Sequence, residues 1–78
     1  MIIVLNNGIF GRNLWYLRKK YSLSQIALAK LTHISIHKMK NIEQGYIREV
    51  ETQWFLRICS IFELTEEESG NVLNELYE

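Results

Sequence analysis

Between Ser24 and Gly45 two amphipathic patterns follow one another with only the residues Thr32, His33 and Ile34 to separate them. Ser24 suits a helix N-cap, because its hydroxyl can accept a free amide of the following turn. Its helix runs to about Leu31, with Ala27, Leu28 and Leu31 as the inward set, and Ala27 and Ala29 are small enough to let a neighbouring helix approach closely. Ser35 offers a second N-cap. Met39 and Ile42 then face inward at i and i+3, while His37, Lys38, Lys40 and Asn41 fall elsewhere on the helix. Gly45 ends it in the manner of a C-terminal glycine. A turn this short obliges the two helices to cross steeply, as in a helix-turn-helix, although many small helical bundles also contain short-turn helix pairs.

The remainder of the chain predicts helices as well. It has no proline and only four glycines in 78 residues, with 47% hydrophobic side chains, which is enough for one small core. Phe10, Leu14, Leu17 and Tyr21 recur at helical spacing across residues 9–21, with Arg12, Arg18 and Lys19 off that stripe. Residues 46–51 read as a loop. A fourth helix over residues 52–62 buries Phe55, Ile58, Cys59 and Phe62. Thr65 with Glu68 three residues later fits a capping box, and Glu66 and Glu67 suit the electropositive first turn of a fifth helix continuing to about Tyr77. The opening MIIVL, closed by Asn6, Asn7 and Gly8, is a short strand or an extended arm, used for packing on the body or for a dimer contact. The expectation is an all-α bundle of about five helices forming a single domain over residues 1–78. Within it, residues 1–8 are the arm, 24–44 the helix-turn-helix and 65–77 a dimerisation helix.

Charge is divided along the chain, although its formal total is zero. Residues 1–48 carry eight basic side chains against the lone acid Glu43, a net of +7; residues 49–78 carry Arg57 against eight glutamates, a net of −7. The basic half is suited to meeting a polyanion. One cysteine supports neither a disulfide nor a zinc site, and Cys59 reads as an inert core thiol. His33 and His37 share a side, but two imidazoles without a carboxylate or thiol nearby do not make a metal site. No metal and no cofactor are expected. MIIVL is too short to span a bilayer and lacks the features of a signal peptide, so no membrane role and a cytoplasmic location are expected. There is no glycine-rich phosphate loop, no Ser/His/Asp set and no aspartate at all. Nothing here points to an enzyme, and no catalytic residue is assigned.

At these residues the chain resembles the phage-repressor (Cro-like, XRE) helix-turn-helix family. The resemblance covers Leu14 to about Glu67 and rests on Leu17-Arg18, Ser24-Gln25, Leu28-Ala29, Ile34-Ser35, Ile42-Glu43 with Gly45, and the run from Phe62 to Thr65. Each piece is weak alone, but their order and spacing are specific. It implies a lambda-repressor-like bundle that binds double-stranded DNA, usually as a homodimer on a two-fold-related operator. It also implies that Gln25 touches a phosphate, and that Ser35, Ile36, His37, Lys38, Lys40 and Asn41 belong to the DNA-facing set. Asn41 would bond adenine in bidentate fashion and Ile36 would meet a thymine methyl, while the base preferred by His37 stays open. Alternatively Asn41 is a solvated helix residue and Ile36 folds back on the body. Tyr46 and Arg48 match positions that grip backbone phosphate. Arg18 and Glu43 match a structural ion pair between the first helix and the end of the recognition helix. The chain departs from the family pattern at His33 and Glu63, where glycines are usual, at the missing loop proline, and at the apolar Ile26.

The function expected is therefore a sequence-specific transcriptional regulator, dimeric through Val72, Leu73, Leu76 and Tyr77 with help from the N-terminal arm. The alternative is a helix-turn-helix protein-interaction module, or a DNA-binding antitoxin, whose main partner is a protein.

Overall fold

The computed structural model describes residues 1–6 and 8–77. Along the chain run β1 (Ile2–Val4), α1 (Ile9–Lys20), α2 (Gln25–Thr32), α3 (Ile36–Glu43), β2 (Glu49–Glu51), α4 (Thr52–Ile61) and α5 (Glu66–Asn71). Five helices enclose one core, to which α1 gives Phe10, Leu14 and Leu17, α2 gives Leu28 and Ala29, and α3 gives Met39 and Ile42. Phe55, Ile58, Cys59 and Phe62 close it from the α4 side. Phe10 meets Phe55 with ring centroids 5.7 Å apart. The inward set expected for α2 is shifted: Ala29 is buried and Leu31 is half exposed, because the crossing angle turns Leu28 and Ala29 rather than Leu31 toward the core.

The N-terminal segment is a strand, and the loop expected over residues 46–51 supplies its partner. β1 and β2 pair antiparallel, Ile2 opposite Glu51, Ile3 opposite Val50 and Val4 opposite Glu49. Alternation sends Val50 and Ile3 toward the core and leaves Ile2, Val4, Glu49 and Glu51 exposed on the other face. Three-residue strands are too short for periodicity to reveal, and β2 became legible only through its partner. The amide and hydroxyl of Thr52 both donate to the Met1 carbonyl, at 3.0 and 3.1 Å.

The first four helices end alike. After each, one residue adopts a left-handed backbone, its amide donating to the carbonyl three residues back while the next amide reaches five residues back. The left-handed residues are Ser22 (φ 56°), His33 (φ 59°), Gly45 (φ 78°) and Glu63 (φ 53°), so a glycine fills only the third of these positions. After α1, α2 and α4 the following residue (Leu23, Ile34 or Leu64) packs on the core. After α3 it is Tyr46, which is 74% exposed.

The last helix differs from its expected form. The capping box at Thr65 and Glu68 is present, but α5 spans six residues and the chain leaves the helix at Val72. Two causes act together. Gly70 and Asn71 are weak helix formers, and the side chain of Asn13, buried in α1, captures the backbone beyond. Its Nδ2 donates to the carbonyls of Val72 (2.9 Å) and Glu75 (2.6 Å), and its Oδ1 accepts from the Tyr77 amide (2.9 Å). The continuous apolar side expected of residues 72–77 consequently does not form. Val72 is in the core, Leu73 and Tyr77 are half-buried against it, and Leu76 alone stays exposed.

A backbone contact sets how α1 lies on α3. A Cβ on Gly11 would sit 2.3 Å from the Ile42 carbonyl oxygen and 2.7 Å from that of Glu43. No rotamer relieves a clash with backbone. Gly11→Ala is expected to lower stability by about 3 kcal/mol or more, since overpacking against atoms that cannot yield exceeds the usual ~1–3 kcal/mol. A urea titration with an unchanged midpoint would show that the helices separate easily. Asn13→Ala should cost roughly 1–3 kcal/mol by stranding buried backbone groups. It should also speed amide exchange over residues 72–77 before the rest of the protein.

Candidate nucleic-acid interface

α2 and α3 are joined by the short turn through the left-handed His33, and each begins at a serine. The Ser24 hydroxyl accepts from the Ala27 amide (3.0 Å) and the Ser35 hydroxyl from the Lys38 amide (3.1 Å). Burial of Met39 and Ile42 fixes which way α3 is rotated. At 100° per residue, the stripe opposite them comprises His37, Lys40, Asn41 and Gln44. His37, Lys40 and Gln44 are exposed and Asn41 is half-buried. Gln44, the C-cap residue of α3, was not among the sequence-derived candidates; one further turn of the same periodicity, past the last buried residue, would have included it. Asn41 Nδ2 lies 3.4 Å from His37 Nε2, an i, i+4 pair on the exposed stripe.

The other candidates are distributed around this stripe. Ile36, the first residue of α3, is half-buried and packs against the core, the alternative that the sequence left open. Lys38 lies on one flank, with Nζ 4.6 Å from the centroid of the Trp54 ring of α4. That cation–π contact ties the start of α3 to α4. Tyr46 and Arg48 are exposed just beyond Gly45, on either side of the half-buried Ile47.

Glu43 occupies the opposite flank. Arg18 grips its carboxylate with two donors, Nε to Oε2 and Nη2 to Oε1 (2.9 Å), and uses Nη1 for the Leu23 carbonyl (2.9 Å). The two side chains are 7% and 5% exposed. Gln25 at the start of α2 completes the cluster, its Nε2 donating to Glu43 Oε1 at 3.1 Å. An amide nitrogen carries two hydrogens, so one remains for a ligand at the electropositive end of α2. The single acid of the basic half is thus withdrawn from the surface, and α1, α2 and α3 meet at its carboxylate.

Among the described residues, no three His, Cys, Asp or Glu side chains converge on a point that would hold a metal. Burial pushes the Cys59 thiol above its ordinary range, against the opposing hydrogen bond with Ser69, which keeps it protonated and unreactive. No described helix is long and apolar enough to cross a membrane.

A family model for the Cro/C1-type helix-turn-helix DNA-binding domain matches residues 13–68, a stretch that contains α2, α3 and the Arg18–Glu43 pair. Two solved structures share the fold. One is the restriction-modification controller protein C.AhdI from Aeromonas hydrophila, at 26% identity and a TM-score of 0.69, covering 78% of this chain and 91% of that one. The other is the N-terminal DNA-binding domain of SinR from Bacillus subtilis, at 17% identity and a TM-score of 0.77, covering 91% and 99%. No curated protein matches the sequence. The chain belongs to the Cro/C1-type helix-turn-helix DNA-binding family. It is a DNA-binding protein of the class that regulates transcription.

The burial of the Arg18–Glu43 pair makes it a stability element with a specific signature. Glu43→Gln leaves a guanidinium nearly out of solvent without its counter-charge, and is expected to cost about 3–5 kcal/mol, against ~0–1 for an exposed pair. Thermal melts of Glu43→Gln and Arg18→Met should both fall markedly. An unaltered midpoint for Glu43→Gln would mean that the pair contributes nothing to holding α1 on α3.

Proposed function

We propose that this protein is a cytoplasmic, sequence-specific regulator that places α3 in the major groove and binds a two-fold-related operator as a homodimer. The observation that carries this reading is the stripe of His37, Lys40, Asn41 and Gln44. Every side chain on it ends in hydrogen-bonding groups, and the helix beneath is anchored along both flanks, by Lys38 on Trp54 and by Glu43 on Arg18. A groove-reading helix needs that division between outward polar groups and inward anchors. Asn41 is assigned to adenine and Lys40 to phosphate or guanine. Gln25, the hydroxyl of Ser35, Tyr46 and Arg48 are assigned to the backbone on either side. Ile36 keeps a thymine-methyl contact only through the part of its side chain that the core leaves uncovered. Lys38 contributes chiefly by positioning α3. C.AhdI is a restriction-modification controller protein and the SinR domain binds DNA, which supports the same class of activity here.

A homodimer doubles the few base pairs that one helix can read. Val72 is not available for it. Leu76, Met1 and the outward residues Ile2 and Val4 of β1 are the exposed apolar side chains that remain from the dimerisation set and the arm. Leu76→Glu and Ile2→Glu, tested separately by sedimentation, identify which one a second copy covers. Wild-type protein that stays monomeric on a palindromic site would exclude the homodimer.

A second reading, a helix-turn-helix that answers mainly to a protein, is favoured by Ile26. It is 58% exposed, beside a shallow apolar groove that Ala29, Ile34 and Ile36 also line. Salt separates the two readings, because phosphate contacts require duplex affinity to fall steeply with added salt. Asn41→Ala should cost roughly 1–3 kcal/mol on a sequence selected from a random pool and little on unrelated duplex. Lys40→Ala, if its contact is to phosphate, should weaken both and lower the salt slope by about one. Equal loss on both duplexes for Asn41→Ala would move that residue to the backbone.

A further inference from the structure

We propose that Arg12, Trp15 and Lys19 on α1 form a second duplex-contacting surface, which holds the phosphodiester backbone beside the segment entered by α3. The proposal rests on the DNA-binding reading of α3 above and extends it to a helix outside the helix-turn-helix.

Three observations converge on α1. The first is an exposed tryptophan between two cations: Trp15 is 41% exposed, with the Arg12 guanidinium carbon 5.4 Å and the Lys19 ammonium 5.9 Å from its ring centroid. The spacings i, i+3 and i+7 put all three on one face of α1, away from Phe10, Leu14 and Leu17 in the core. The second is position. A groove lined by Arg12, Trp15, Arg18, Gln25, Glu43 and Gln44 joins this face to the start of α2 and to the last residue of the α3 stripe. A duplex lying along α3 with its backbone at the start of α2 passes this groove. The third is sign. Glu43 is the only acid among residues 1–48, and Arg18 and Gln25 hold its carboxylate nearly out of solvent, so the exposed charged side chains of α1 beside the groove, Arg12 and Lys19, are both basic.

These features fit the edge of a nucleic-acid duplex. Arg12 and Lys19 supply donors to successive phosphates. Trp15 supplies an apolar ring to lie on deoxyribose and an indole N–H to donate to phosphate oxygen. Its ring also holds the two cations in place before DNA arrives, which reduces the ordering that binding would otherwise require.

The test uses the full chain and a fluorescein-labelled duplex of mixed sequence several helical turns long, followed by anisotropy over a range of salt concentrations. Lys19→Gln should lower the salt slope by about one, and Arg12→Gln with Lys19→Gln by about two, at ~0.9 per lost phosphate contact. Trp15→Leu, which removes no charge, should weaken binding roughly three- to tenfold with the slope unchanged. In a Trp54→Phe background, the remaining Trp15 emission should become shielded from acrylamide when duplex is added. Wild-type slope in the double variant, or wild-type affinity in Trp15→Leu, overturns the proposal, the latter by reducing the cations to a diffuse field. Either result leaves α3 untouched if wild-type protein binds duplex with a steep slope. Absence of salt-dependent binding by the wild type overturns the reading of α3 as well.

Discussion

The position of α3 relative to α1 governs everything the DNA-facing surface presents, and hydrophobic burial alone does not define it. An eight-residue helix is too short to persist on propensity, and α3 buries only Met39 and Ile42, a narrow contact about which it could rock. Rotation is arrested by groups with direction. At Gly11 the backbone of α1 comes against the carbonyls of Ile42 and Glu43, a distance that any side chain would lengthen. About two turns further along α1, Arg18 takes the Glu43 carboxylate in a two-donor grip that constrains angle as well as separation. A backbone contact and a side-chain clamp on the same pair of helices leave little freedom for α3 to turn. Gln25 brings the start of α2 to the same carboxylate. The helix-turn-helix is therefore braced at its far corner by a helix that lies outside it.

On the other flank, Lys38 lies against Trp54 and connects α3 to α4 through a contact of a different character. The indole face is large and tolerant of small displacements, whereas the Arg18–Glu43 geometry is not. α3 is thus held rigidly along one edge and more loosely along the other. Its outward side chains inherit that asymmetry, Gln44 lying near the rigid corner and His37 nearer the compliant start.

Much of this architecture was legible in the sequence, for physical reasons. The helices follow 3.6-residue patterns, and α2, α3 and α5 begin at serine or threonine caps: Ser24, Ser35 and Thr65 each accept the hydrogen bond that such a cap should. The Arg18–Glu43 pairing was suggested by family resemblance and by the isolation of one acid among eight cations. What escaped notice depended on contacts between distant parts of the chain. β2 exists because β1 lies beside it, and a three-residue strand carries no periodic signal of its own. The fifth helix stops early because Asn13, about sixty residues earlier, binds the backbone where the helix would have continued. Gly11 carries no signal in the sequence, because its requirement is steric and lies in α3. Among the candidate site residues, the exposed stripe of α3 followed from Met39 and Ile42. The placement of Lys38 over an indole sixteen positions away did not.

The left-handed helix endings at Ser22, His33 and Glu63 bear on how long the molecule persists. A residue with a Cβ held in that conformation carries on the order of 1 kcal/mol of strain, and small domains commonly have only ~5–15 kcal/mol in total. Each kilocalorie forgone raises the unfolded fraction about fivefold, and where opening is fast it is that fraction which proteases sample. Three such endings enlarge it by roughly two orders of magnitude relative to unstrained ones. Glycine at any of the three would therefore be expected to lengthen the survival of the protein wherever proteolysis acts on that open fraction.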